Sequence, residues 1–173
     1  MPTPPPVPLR LFLALWPPAP LASVLQANAD AWTWPAAARR SGPERLHITL
    51  HFIGAVPAPE LVDLQEALAL RWEGCELLLD RTEVWPGGIA VLEATQLPDA
   101  LRALHAALGE RLRSRGLPVE ARRFRPHVTF ARKAQGARAP ADFVPLRWTA
   151  GPEYLLMQSL PGGRGYVPLQ RFG

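Results

Sequence analysis

One cysteine, two tyrosines and two methionines occur in 173 residues, and Lys133 is the single lysine among nineteen basic residues. Cys75 has no partner in the chain, which excludes an internal disulfide. Its neighbours Glu76, Leu77 and Leu78 read as a strand setting, so the thiol is expected to be structural. The chain also lacks a long apolar run. Leu9–Trp16 stops at Pro17-Pro18, too short to cross a bilayer. No basic segment precedes that run and no small-residue cleavage site follows it, so a cytoplasmic protein without a membrane span is expected. Carboxylates are absent between Arg45 and Pro59, and only Glu120 and Asp142 flank the region of His127 at a distance. A hard-cation site would want more of them, and neither a metal nor another cofactor is expected.

What is present suits one folded body. Hydrophobic residues make up 48% and charged residues 20%, which excludes a mainly disordered chain. The net charge of +4 favours an anionic partner, and Arg122, Arg123 and Arg125 offer guanidinium forks to phosphate just before His127. The proline-rich residues 1–8 read as a flexible arm, and residues 9–173 as a single domain expected to be monomeric.

Periodicity supplies the elements. Leu9–Trp16 reads as a buried strand, followed by a proline-led helix carrying Leu21, Val24, Leu25 and Ala29. Leu46–Ile53 is a strand, and Glu60–Arg71 a helix with Leu61, Leu64 and Leu68 on one face. Glu76–Val84 and Ile89–Ala94 flank the turn Pro86-Gly87-Gly88. Pro98–Arg115 is a leucine-faced helix that Gly116 stops. Strands are expected at Pro126–Arg132, Phe143–Trp148, Tyr154–Leu160 and Tyr166–Gln170. Strict β-α-β alternation is missing, so the fold class is α+β with largely antiparallel sheets.

One pattern occurs twice. Arg45-Leu46-His47-Ile48-Thr49-Leu50 and Arg125-Pro126-His127-Val128-Thr129-Phe130 share Arg, His, a β-branched aliphatic, Thr and a large apolar residue at matched positions. Such a repeat implies two related lobes, each giving one strand to a shared cleft. In a strand, His47 and Thr49 point to one side and Ile48 and Leu50 to the other; His127 and Thr129 follow the same rule. Either pair alone suits an ordinary solvent-facing strand, but folding does not require the same polar pair twice. Two imidazoles and two hydroxyls around one small volume make a phosphate site with an acid and a base. His47 and His51 lie about 13 Å apart in a strand and cannot share a metal ion. His51 shares the alternation side of His47, which leaves it at most a rim position touching substrate. His105, on a helix beside the leucine face, reads as structural.

These segments, with Arg10–Leu15, Arg123–Pro126 and Ser159–Leu169, resemble the two-histidine phosphoesterases. Within them the chain is similar to the bacterial and archaeal RNA 2′,3′-cyclic phosphodiesterases, also called 2′-5′ RNA ligases. The resemblance implies a bilobal fold with pseudo-twofold symmetry, helices outside and a central cleft. It also implies hydrolysis of RNA 2′,3′-cyclic phosphate ends to 2′-phosphates, with weak reversible 2′-5′ ligation in some members. His47 would be the proton donor, His127 the proton acceptor, and Thr49 and Thr129 would hold the non-bridging oxygens. The family places a basic residue at Arg132 near the phosphate, although simple alternation points Arg132 away from His127 unless the strand bends. Phe52 would stack on a terminal base, while alternation equally suits a core position. Alternative substrates are a small cyclic nucleotide or 2′-5′ oligoadenylate. A non-catalytic RNA-end-binding module is a further reading, though it would not need both histidines.

Overall fold

The computed structural model describes residues 7–173. The expected arm therefore lies outside the described residues except for Val7 and Pro8, which are exposed and belong to no strand. The elements run β1 (Leu9–Leu15), α1 (Ala19–Asp30), β2 (Arg39–Arg40), β3 (Ile48–Val56), α2 (Leu61–Ala67), β4 (Cys75–Leu79), β5 (Arg81–Trp85), β6 (Ile89–Glu93), α3 (Asp99–Arg113), β7 (His127–Arg132), β8 (Leu146–Ala150), β9 (Tyr154–Ser159) and β10 (Tyr166–Phe172). None of these helices is long and apolar enough to cross a membrane.

The fold is α+β and its strand pairs are antiparallel. One sheet runs β10-β9-β1-β3-β7-β6-β5, with β2 also on β7; β4 and β8 form a separate pair. The two motif strands are direct neighbours, joined through the pair Ile48 and Val128. The halves on either side of that seam are thus one continuous sheet. On its helical side, leucines of α1, α2, α3 and the turn just after α2 (Leu25, Leu64, Leu68, Leu101, Leu104, Leu108, Leu112) bury Leu11, Leu13, Leu15, Ile48, Leu50, Val128 and Phe130. On the other side, Phe12, Ala14, Leu155 and Met157 form a small cluster edged by Trp16 and Tyr166.

Both motif strands carry the same irregularity. Along β1 and β3, Ala14 pairs with Thr49 but Leu13 pairs with His51, so Leu50 is an extra residue. Along β6 and β7, Val91 pairs with Thr129 but Ala90 pairs with Ala131, so Phe130 is an extra residue. A bulge of this kind lets two consecutive side chains point the same way and reverses the alternation beyond them. Leu50 and His51, like Phe130 and Ala131, are consecutive buried residues, and the exposed residues that follow are Phe52 and Arg132.

Three expectations shift for identifiable reasons. The helix expected over Glu60–Arg71 ends at Ala67, because the buried Tyr154 hydroxyl donates to the Leu68 carbonyl (2.7 Å) and accepts from the Leu70 N–H (2.8 Å). The strand expected over Glu76–Val84 is two strands in different sheets. They divide at Asp80, whose carboxylate takes the Thr95 N–H (2.8 Å) and hydroxyl (2.6 Å). The strand expected over Phe143–Trp148 starts later, since its register runs from Leu79 opposite Leu146 to Cys75 opposite Ala150.

Candidate active site

His47 immediately precedes β3 and His127 begins β7, so the seam between the two halves lies beside both imidazoles. Each ring is anchored in the same way. The Nδ1–H of His47 donates to the Arg45 carbonyl at 2.7 Å, and that of His127 to the Arg125 carbonyl at 2.6 Å. A carbonyl can only accept, so Nδ1 carries the proton in both rings and Nε2 is the atom left to give or take one. Thr49 Oγ1 lies 3.1 Å from His47 Nε2. Thr129 is half-buried on the same side of β7 as His127.

The surroundings of the two rings differ. Trp16 stacks on His47 with ring centroids 4.8 Å apart and planes 5° from parallel; Phe12 lies at 5.3 Å and Tyr166 meets the ring edge-on at 5.5 Å. The corresponding neighbour of His127 on β6 is Glu93, directly opposite in register. Glu93 is 1% exposed and receives two hydrogen bonds from Arg125, at 2.8 and 3.0 Å, and one from Arg81. Arg125 also donates to Glu83 (3.0 Å) and lies 4.4 Å over the Trp85 ring, which itself sits 4.5 Å from His127.

Electrostatics follow from these contacts. Burial pushes His47 down to about 4; the charge of His127 adds to that, and the Arg45 carbonyl opposes it. Burial also lowers His127, against the Arg125 carbonyl and Glu93, while the charges of Arg125 and Arg122 push the same way as burial. Burial opposes the Glu93 charge, yet the hydrogen bonds from Arg125 and Arg81 outweigh it and hold the carboxyl below its ordinary range. Burial and Glu76 raise the Cys75 thiol to about 11, the opposite of activation.

The bulges decide where the other expected residues stand. Phe52, 53% exposed, lies 6.2 Å from Phe12 on the sheet side of His47, so it is not a core residue. The reversal past Phe130 carries Arg132, also exposed, to the side of His127 and Thr129. His51 goes the other way. It is 5% exposed, donates to the His105 carbonyl at 2.8 Å and stacks on His105, which stacks on Phe124. The rim position open to His51 is therefore excluded, and it fastens α3 to β3. Arg125, a candidate phosphate ligand in sequence, is committed to Glu83, Glu93 and Trp85; Arg122 pairs with Glu120. Among the described residues, no three His, Cys, Asp or Glu side chains come together as a metal site would need.

No motif in the sequence marks Trp16, Tyr166 or Glu93 as a neighbour of the two histidines. Glu93 did leave a signal: it is a charge inside the apolar run Ile89–Ala94, which demands a buried partner. Trp16 left none, because only the pairing of Leu15 with Ile48 brings the next residue onto His47.

A family model described as the 2′-5′ RNA ligase superfamily matches residues 17–151. The apo structure of E. coli LigT resembles this chain with a TM-score of 0.80 at 29% identity, covering 96% of this chain and 98% of that one. The complex of E. coli LigT with 3′-AMP gives 0.79 at 30%, covering 95% and 97%. A Thermus thermophilus protein, TT0787, gives 0.78 at 25%, covering 95% and 97%. No curated protein matches the chain.

Proposed function

Because this chain belongs to the 2′-5′ RNA ligase superfamily, we propose that it hydrolyses 2′,3′-cyclic phosphate ends of RNA to 2′-phosphates, without a metal ion. The observation that carries this reading is the matched anchoring of His47 and His127, each held through Nδ1 with Nε2 left as the working atom. Water attacks phosphorus as the bond from phosphorus to the 3′ oxygen breaks. His127 Nε2 takes the proton of the water, and His47 Nε2–H gives one to the departing 3′ oxygen. Atoms balance: one water is consumed, and a 2′-phosphate and a 3′ hydroxyl appear. Thr49 and Thr129 donate to the non-bridging oxygens, Arg132 offsets the phosphate charge, and Phe52 stacks on the terminal base. Burial holds His47 neutral in the free protein. The anionic phosphate placed beside the ring favours its charged form, so the donor's proton arrives with the substrate.

The experiment incubates purified protein, before and after exhaustive EDTA treatment, with a short RNA ending in a 2′,3′-cyclic phosphate, and identifies the product end. A 2′-phosphate unaffected by chelation is expected. His47→Ala and His127→Ala should each lower turnover by ~10²–10⁴-fold. Loss of activity restored by a divalent ion, or full activity in either alanine variant, would overturn the mechanism.

A further inference from the structure

We propose that His105 is a positioning residue of the active site: its ring, stacked between His51 on β3 and Phe124 in the lead-in to β7, sets where His127 stands relative to His47. This rests on the two-histidine reading above. The three rings form one column beside α3, with centroids 4.0 Å apart at both steps and planes 20° and 10° from parallel. The His51 Nε2–H donates to the His105 carbonyl at 2.8 Å, which closes α3 onto β3. The His105 ring also meets the main chain of Leu50, the extra residue of the first bulge. One helical side chain thus touches both residues of that bulge and the segment that leads to His127. Burial, and then the charge of His51, push His105 down to about 4, and burial lowers His51 as well; Arg113 and Glu120 are the charges that face the pair. Both rings are therefore neutral at neutral pH and stack as aromatic faces.

Across the seam the sheet itself supplies a single link, since β3 and β7 pair through Ile48 and Val128. Residues 117–126 belong to no helix or strand, so the approach to His127 has no ladder of its own. Within it, the Arg125 side chain is held by Glu83 and Glu93 of β5 and β6, on the β7 side of the seam. Phe124 is joined through His105 to β3, on the other side. Phe124 directly precedes Arg125, whose carbonyl holds the Nδ1–H of His127 at 2.6 Å. A shift of Phe124 against α3 therefore moves that carbonyl, and the Nε2 of His127 with it. His47 escapes such a shift, because its anchoring carbonyl belongs to a separate turn, Pro43–Arg45. In the proposed reaction both Nε2 atoms act on one phosphate, and a misplacement of about 1 Å can cost about 10²-fold in rate.

The test compares wild type with His105→Ala, which leaves a gap in the column, and His105→Phe, which keeps a ring there, each checked for folding by circular dichroism. On a short RNA ending in a 2′,3′-cyclic phosphate, His105→Ala should lower kcat by ~10–10²-fold with KM unchanged, and His105→Phe should restore most of the loss. A purely structural role would lower Tm and spare kcat. Unchanged kcat in His105→Ala, a change confined to KM, or an equal kcat loss in His105→Phe overturns the proposal. If His105→Ala does not fold, Phe124→Leu replaces it, keeping apolar bulk without an aromatic face; the same kcat loss supports the column and wild-type kcat refutes it. If wild type does not turn over the RNA, the cyclic-phosphate reading fails. The positioning role is then decided by NMR of the imidazole Nδ1–H protons in His105→Ala, or in Phe124→Leu where that replaces it. Faster solvent exchange of the His127 proton with that of His47 unaltered supports it; both protons unaltered, or both exchanging faster, refutes it.

Discussion

Replacing Trp16 by alanine opens one face of the His47 ring to water. In the intact protein burial is the foremost cause that brings His47 from 6.5 to about 4, which is worth about 3 kcal/mol in favour of the neutral ring. Trp16 covers one of the two ring faces in near-parallel contact, while Phe12 and Tyr166 remain in place. Removing it should raise the His47 pKa by ~1 unit or more. Removing the His127 charge instead, with His127→Gln, should raise it less, because that charge is the smaller cause. Residue-specific NMR titration of histidine ring carbons measures both shifts directly. In the pH dependence of kcat/KM, which reports the free protein, Trp16→Ala should therefore move upward the limb that His47 sets and leave the limb that His127 sets in place. A His47 pKa near 6.5 in the wild type, or one unmoved in Trp16→Ala, would refute the desolvation reasoning. The same depression has a stability consequence. Between pH 6.5 and about 4 the unfolded chain binds the His47 proton and the folded one does not, so stability contributed by this group falls as pH drops through that window. Trp16→Ala should flatten that fall.

Two further outcomes concern the frame around the site. Glu93→Gln leaves Arg81 and Arg125 without their shared buried carboxylate; their side chains are 51% and 41% exposed and can turn to water. A loss of about 2–3 kcal/mol is therefore expected, at the low side of the range for broken buried pairs, and it should appear as a Tm lower by roughly 6 °C; a melt unchanged within a degree would contradict the brace. Tyr154→Phe removes the hydroxyl that receives the Leu70 N–H and donates to the Leu68 carbonyl. Urea unfolding should show a loss of about 1–3 kcal/mol for the orphaned main-chain groups, and a smaller loss would mean that water replaces the hydroxyl.

The sequence by itself determined the fold class, the places of most strands and helices, and the repeated motif that makes His47, Thr49, His127 and Thr129 the candidate site. Each of those rests on local information. The alternation of Ile48, Leu50, Val128 and Phe130 with polar residues is a property of four or five consecutive positions, and the offset between the two motifs is visible without coordinates. Alternation failed where the tertiary structure breaks it. The extra residues Leu50 and Phe130 exist only in relation to the facing strands β1 and β6, so no local pattern could show that Phe52 and Arg132 turn to the histidine side while His51 turns into the core. The split at Asp80 depends likewise on Thr95, fifteen residues on. The unequal settings of the two imidazoles, Trp16 against one and the Glu93 cluster against the other, were also settled by packing. Local pattern fixes which face a side chain prefers. Cross-strand register decides which face it takes, because one unpaired residue is enough to reverse every side chain that follows.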